Sequence, residues 1–199
     1  MKPRTASSSS APPHRGAGEV RIIGGQWRRT RLPVMARPGL RPTPDRVRET
    51  LFNWLGQTLD GWRCADVFAG TGALGLEAAS RGAQAVVLCE QDRALAAQLQ
   101  QHVQRLQATQ VRVHPGDGLA WLQQQAAASW DLLFLDPPFD SALFEPGLQA
   151  AAAALRRQGC IYLEAPVRWT DDAVRSLGLQ LHRHLQAGAV HAHLLRPIA

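Results

Sequence analysis

Between residues 63 and 164 the chain alternates two hydrophobic patterns, and few folds accept that alternation. "CADVF" (64–68), "AVVLCE" (85–90), "VRVH" (111–114), "DLLFLD" (131–136) and "CIYLE" (160–164) are short apolar runs. Between them lie "LGLEAASR" (74–81), "DRALAAQLQQHVQRLQ" (92–107), "GLAWLQQQAA" (118–127) and "LFEPGLQAAAAALRR" (143–157), all read as helices. Strands that alternate with helices predict a parallel sheet covered on both faces. The tail departs from this rhythm. "LQLHRHL" and "AVHAHLL" flank Gln186-Ala187-Gly188, which predicts an antiparallel hairpin at the sheet edge. The expected fold is therefore α/β: a doubly wound, mostly parallel sheet over 61–199 with an antiparallel C-terminal hairpin.

The residues ahead of this domain have a different character. Residues 1–48 carry eleven Lys and Arg against two acids, a balance of +9, whereas the remainder carries eleven against fourteen. Apart from Lys2 every one of these cations is Arg, whose planar guanidinium grips phosphate through paired hydrogen bonds. A basic segment on a slightly acidic body points to a polyanion held at one end of the molecule. Residues 1–19, rich in Ser, Pro and Gly and without an apolar core, read as a disordered arm and not as a signal peptide. Residues 20–60 read as a basic, polyanion-binding unit of hairpin, loop and helix. "VRIIGGQWRRTRLPV" predicts a hairpin about Gly24-Gly25, "ARPGLRPTP" a loop, and "DRVRETLFNWLG" an amphipathic helix capped by Thr43 or Asp45 with Val47, Leu51, Trp54 and Leu55 as its stripe. Arg21, Arg28, Arg29 and Arg31 on the hairpin, with Arg41, Arg46 and Arg48 on the loop and helix, are the candidate phosphate contacts.

"DVFAGTGALGLE" follows the first strand and opens a helix. Gly70, Gly72 and Gly75 match G-x-G-x-x-G in the strand–turn–helix setting that a nucleoside cofactor requires. Glu90 closes the next strand twenty residues on, where a carboxylate accepts ribose hydroxyls. Asp66, just before the turn, disfavours a pyrophosphate and suits the α-amino group of S-adenosylmethionine. A nicotinamide oxidoreductase is the competing reading of the same glycines. "GDGLAW" adds Asp117 as acceptor for an adenine amino group and the Gly118 amide as donor to a ring nitrogen.

"LLFLDPPF" (132–139) ends a buried strand in a carboxylate, two prolines and an aromatic ring. It follows the strand expected beside the first one, at the switch point where ligands bind in such sheets. Asp136 and the Pro137 carbonyl are acceptors, and Phe139 offers a face to a planar base. Two acceptors and a stacking ring fit an exocyclic amine. An adenine-N6 and a guanine-N2 target both satisfy that logic.

The segments "RIIGGQWRRTRLP", "GLRPTPDRVRETLFNWL", "DVFAGTGALGLEAASRGA" and "DPPF" together resemble the RsmD family of bacterial 16S ribosomal RNA guanine-N2 methyltransferases, over about residues 20–165. The resemblance implies a class I, Rossmann-like methyltransferase domain that uses S-adenosyl-L-methionine. It implies methylation of the 2-amino group of one guanine, position 966 in the usual 16S numbering, on the assembling small subunit. By motif match Asp136, Pro137 and Phe139 form the catalytic set. Asp66, Ala69, Gly70, Thr71, Gly72, Glu90, Asp117 and Gly118 form the cofactor set. A non-enzymatic rRNA-binding assembly factor is the alternative of another class.

Cys64, Cys89 and Cys160 are widely spaced and lie in apolar runs, as buried free thiols do in a reducing cytoplasm. No apolar run approaches the ~20 residues of a membrane span. The expectation is a cytoplasmic monomer. His182, His184, His191 and His193 are expected on one face of the tail hairpin, with Leu185 opposite Val190, His184 opposite His191 and His182 opposite His193. Four imidazoles can ligate a transition metal, but the proposed chemistry needs none, so no metal is expected.

Overall fold

The computed structural model describes residues 18–37, 40, 42–139 and 141–198. It opens with β1 (Gly18–Arg21) and β2 (Arg31–Val34), paired antiparallel from Gly18↔Val34 to Arg21↔Arg31. Gly18 and Glu19, expected in the arm, are already strand. The arm's residues 1–17 lie outside the described residues. β1 and β2 form the hairpin expected about Gly24-Gly25, with a long connection. Residues 22–30 form a longer loop closed by the Ile22 amide on the Thr30 carbonyl at 2.9 Å and the Arg29 amide on the Ile22 carbonyl at 2.8 Å. Gly25 serves a docking contact. Its φ is +71° and a Cβ there would lie 1.8 Å from the Ser80 carbonyl oxygen, so only glycine fits. Next to it the Gln26 amide donates to that same carbonyl at 2.8 Å.

Helix α1 (Asp45–Leu55) follows Pro44 and stops at Gly56, whose φ of +95° provides the left-handed cap. No side chain caps its start, so neither Thr43 nor Asp45 does so. Its buried residues are Val47, Arg48, Leu51 and Phe52, with Trp54 and Leu55 packed at the margin.

The main sheet is built from β3 (Arg63–Asp66), β4 (Ala85–Glu90), β5 (Val111–Pro115), β6 (Trp130–Leu135), β7 (Leu155–Ala165), β8 (Leu179–Ala187) and β9 (Val190–Pro197). Helices α2 (Ala73–Ser80), α3 (Arg93–Arg105), α4 (Gly118–Gln123), α5 (Phe144–Ala154) and α6 (Asp171–Arg175) connect them. The order across the sheet is β5-β4-β3-β6-β7-β9-β8, parallel from β5 to β7, with the β8–β9 hairpin antiparallel at the edge. This is the doubly wound sheet that the alternation predicts. Successive residues alternate between the two faces. Cys64, Leu132, Phe134, Cys160 and Tyr162 pack with Ile22, Leu32, Leu51, Phe52 and the helices α2 and α3. Ala65, Leu133, Leu135, Ile161 and Leu163 pack with α4, α5 and α6. The three cysteines are free and buried.

Two boundaries differ from expectation. Helix α5 ends at Ala154, because Leu155 turns extended and pairs with Trp130, so Arg156 and Arg157 belong to β7. The tail hairpin turns in two residues, Gly188 and Ala189, with Ala187 opposite Val190 and Gly188 at φ +61°. That moves the register. Leu185 faces Ala192, His184 faces His193, and a bulge between Leu181 and Arg183 leaves His182 unpaired.

Candidate active site

The carboxyl ends of β3 to β7 open on a cleft of about 1290 Å³. An acid stands at each of these strand ends: Asp66, Glu90, Asp117, Asp136 and Glu164 all line it. On one side is the glycine turn. Gly70 (φ +50°) and Gly72 (φ +77°) adopt left-handed backbone that other residues resist, and they deliver the chain into α2. The Gly70 amide donates to Glu90 Oε2 at 2.8 Å, and the Asp92 amide to Glu90 Oε1 at 2.7 Å. Glu90 is thereby fixed beside the turn. Its carboxyl is raised by burial, against which the Asp92 and Gly70 amides act. Ala69 and Thr71 line the cleft next to Gly70. Gly72, expected to hold the cofactor, and Gly75 do not line it; a Cβ at Gly72 would instead meet Leu99 at 2.5 Å. A Cβ at Gly75 would meet Leu88 at 2.2 Å, so this glycine lets α2 pack closely on the sheet.

Asp66 is buried. Its Oδ2 accepts the Gly75 amide at 3.0 Å, but Oδ1 has no partner among the described residues. Burial pushes its carboxyl up to about 7, the Gly75 amide opposes that shift, and the charges of Glu90 and Glu164 add to it. An orphaned buried acceptor costs roughly 1–3 kcal/mol, and a donor placed in the cleft would remove that cost. Asp117 caps α4 through the Leu119 amide at 2.8 Å and the Ala120 amide at 3.1 Å, both on Oδ1. Oδ2 is the oxygen not engaged in the cap. Gly118 fits where a Cβ would lie 1.8 Å from the Val67 carbonyl oxygen.

Asp136, Pro137, Pro138 and Phe139 line the same cleft. Pro137 is buried, while Phe139 is 39% exposed although aromatic. The Asp136 carboxyl is pushed well above its ordinary value, first by burial and then by Glu164 and Asp66. Glu164 is the site residue that motif reading overlooked. It lies at the cleft end of β7, accepts a 2.8 Å hydrogen bond from the Tyr162 hydroxyl on Oε1, and receives a second from the Thr43 side chain. Its carboxyl is raised by burial, with those two bonds opposing. The sequence did carry a signal: "CIYLE" closes on an acid, as "AVVLCE" and "DLLFLD" do.

The N-terminal segment forms a further wall through Arg37, Leu40, Pro42, Thr43 and Pro44. It is fastened to α3 by the Met35 amide on Gln98 Oε1 at 3.1 Å, an Arg37–Asp92 pair at 3.3 Å, and His102 Nε2 against the Pro33 carbonyl at 3.0 Å. The arginines proposed to grip phosphate divide into three groups. Arg28, Arg29 and Arg46 are exposed and hold no ion pair among the described residues. Arg21 and Arg31 are exposed but paired with Asp45 and Glu19. Surface pairs of that kind hold ~0–1 kcal/mol and exchange readily. Arg48 does not reach the surface. It is 1% exposed and donates to the Thr43 carbonyl, the Arg21 carbonyl, Asp45 and Glu77, so it is removed from the phosphate-binding set. Arg41 lies outside the described residues.

The histidines sit apart from this chemistry. His184, His191 and His193 stack, with His184 Nε2 3.0 Å from His191 Nδ1. The Trp169 amide donates to His193 Nε2 at 3.0 Å, so the ring proton sits on Nδ1, 3.3 Å from the Leu163 carbonyl. Burial pushes His193 down to about 4, against the pull of that carbonyl. No cluster of side chains spaced to hold a metal ion occurs among the described residues.

Known proteins resemble this chain in sequence and fold. The family model "Conserved hypothetical protein 95" matches residues 20–196. Ribosomal RNA small subunit methyltransferase D of Escherichia coli is 44% identical over 181 residues, covering 90% of each chain. The protein of the same name from Haemophilus influenzae is 40% identical over 182 residues, covering 85% of this chain and 94% of its own. The chain belongs to the ribosomal RNA small subunit methyltransferase D family. The solved Escherichia coli structure yhhF, 38% identical, matches with a TM-score of 0.78 over 90% of this chain and 98% of that one. The sheet is thus the Rossmann-like sheet of class I methyltransferases.

The methyl donor of this RsmD-family enzyme is S-adenosyl-L-methionine, and the cleft fits it. The unpartnered Asp66 Oδ1 can accept from an ammonium-type donor, Glu90 offers lone pairs beside the glycine turn, and Gly70 faces the cleft residue Leu40, which a Cβ there would approach to 3.1 Å. Among the described residues no helix is long and apolar enough to cross a membrane.

Proposed function

We propose that this methyltransferase modifies the exocyclic 2-amino group of a guanine in 16S rRNA during maturation of the small subunit, in the cytoplasm and as a monomer. Residues 20–60 present the RNA and residues 61–199 carry the transfer. One observation supports the reading above others. Asp136, Pro137 and Phe139 stand on the same cleft as the glycine turn, and the basic N-terminal segment forms its wall.

S-adenosylmethionine, when bound, supplies an electrophilic methyl group on a sulfonium. The protein's part is alignment. Asp136 and the Pro137 carbonyl accept the two N–H bonds of the amine, which leaves its lone pair free to point along the line of attack at ~3–3.5 Å. Phe139 holds the base by stacking, worth ~1–3 kcal/mol, against the few kcal/mol of taking it out of its helix. No strong base is required, because the nitrogen becomes acidic after it receives the methyl group. Asp136 acts as an ionised acceptor.

Depletion of the protein followed by mass-spectrometric mapping of rRNA tests the reading. Loss of one N2-methylguanosine is the expected result. Loss of an N6-methyladenosine would replace guanine by adenine, and an unchanged rRNA with assembly defects would favour a non-enzymatic factor. Because none of these roles calls on a metal, transfer in vitro is expected to survive EDTA. Activity lost on chelation and restored by zinc would contradict the mechanism.

The exposed arginines give a second expectation. Each phosphate they neutralise adds about −0.7 to −0.9 to the log–log salt slope of RNA binding. The Arg28→Gln, Arg29→Gln, Arg46→Gln triple variant is expected to weaken rRNA binding and flatten that slope by about 2, with unfolding unaffected. An unaltered slope would move the RNA contact elsewhere.

A further inference from the structure

Glu164 has no counterpart in the roles assigned so far. Leu135 on β6 pairs with Leu163 on β7, and Asp136 and Glu164 each follow that last register pair by one residue and line the same cleft. Adjacent parallel strands lie ~4.8 Å apart. Both residues share the sheet face of Phe134 and Tyr162, which lie two positions earlier on each strand and pack in the core beneath. The two carboxylates therefore stand side by side on the cleft. Glu164 is 4% exposed and has no Lys or Arg partner among the described residues. The Tyr162 and Thr43 hydroxyls leave part of its roughly four acceptor positions unfilled.

A buried acid beside another acid is unfavourable, and packing alone is better served by a neutral side chain. What relieves the pair is a ligand carrying several N–H donors on one edge. Guanine carries three on its Watson–Crick edge, one on N1 and two on the 2-amino group. Adenine carries none on N1, where a lone pair would face the carboxylate.

Building on the guanine reading above, we infer that Glu164 is the specificity-determining residue of the target pocket. It accepts the guanine N1–H while Asp136 accepts the amine that is methylated. Both carboxyls are raised by burial, and Glu164 adds to the rise of Asp136. Guanine's donors stabilise the ionised forms that burial disfavours. A base without the N1 proton leaves Glu164 buried and unmatched, and a site built around a hydrogen bond rejects such a base.

The test uses rRNA substrate in which the target guanosine is replaced by 2-aminopurine, which keeps the exocyclic amine and lacks the N1 proton. The wild-type enzyme is expected to favour guanine by roughly 10- to 100-fold in kcat/KM, the worth of one charge-assisted hydrogen bond. Glu164→Gln, whose amide can accept from Tyr162 and donate to a bare N1, is expected to lower guanine turnover and narrow that ratio to within about threefold. Its S-adenosylmethionine affinity should be unchanged. A purely structural role would lower both substrates equally and keep the ratio, which overturns the inference. Should the variant fail to fold, equal use of both bases by the wild-type enzyme would overturn it alone. Absence of any N2-methylguanosine with the wild-type enzyme is a different failure, since it removes the guanine reading and this inference with it.

Discussion

Asp136→Ala is expected to lower methyl transfer by about 10²–10³-fold, the usual loss when one preorganised partner of the reacting group is removed. S-adenosylmethionine affinity should stay within a few fold, because Asp136 is proposed to hold the target base while the glycine turn, Glu90 and Asp117 hold the cofactor. Isothermal titration and single-turnover transfer separate the two quantities. An equal fall in cofactor binding would place Asp136 in the wrong half of the cleft. Its pH behaviour sharpens the expectation. Burial, with Glu164 and Asp66 nearby, raises the Asp136 carboxyl above the ordinary range. The group is needed ionised, and its ionised fraction grows as pH rises through the raised value. Single-turnover rate at saturating cofactor should therefore climb with pH above the ordinary carboxylate range. Asp136→Asn should flatten that limb. Saturating cofactor matters, because Asp66, proposed as a cofactor contact and pushed up to about 7, should impose its own pH dependence on cofactor binding.

Much of the fold is legible in the sequence because it rests on local signals. The 63–164 alternation of apolar runs and helical spacing is enough to predict a parallel sheet, and a strand that closes on Asp-Pro-Pro marks the switch point. Features that depend on distant partners were not legible. Arg48 reads as one more surface arginine of α1, since nothing local shows that Glu77, 29 positions away, waits for it in the core. Gly24-Gly25 does mark the hairpin, yet Gly25 is there because the Ser80 backbone passes within reach of a missing side chain. The tail register shifted because Gly188 allows a two-residue turn, and a bulge then displaced His182. Glu164 was overlooked for a related reason. Its meaning comes from the strand beside it, and only the β6–β7 pairing puts it next to Asp136.

Glu77→Ala is expected to destabilise the fold by about 3–5 kcal/mol, the cost of removing one partner from a buried ion pair. Glu77 is fully buried at the centre of a network that joins the N-terminal segment to α2. Its Oε2 accepts from the Ile23 amide at 2.8 Å and from Arg48 at 3.2 Å, and its Oε1 accepts from Arg81 at 2.8 Å. Without it, Arg48 and Arg81 remain as two buried cations with one fewer anion between them. Arg48 retains Asp45, and Arg81 retains Gln57 and the Phe52 ring at 4.5 Å, so the loss stays below that of two isolated charges. Urea unfolding with an unchanged slope measures it. The same network seats Ile22 and Leu32, which belong to the main core, so the N-terminal segment is part of the folded domain. A midpoint shift worth less than ~1 kcal/mol would mean that Arg48 and Arg81 are solvated without Glu77. Water would then have to enter from the second cleft, about 790 Å³, which Gly24, Gln57 and Arg81 line. In that case trypsin should cut no faster at Arg28 and Arg29 in the variant. Faster cutting there, with the unfolding midpoint lowered, is the pair of results that assigns Glu77 the task of holding the N-terminal segment on α2 and the sheet.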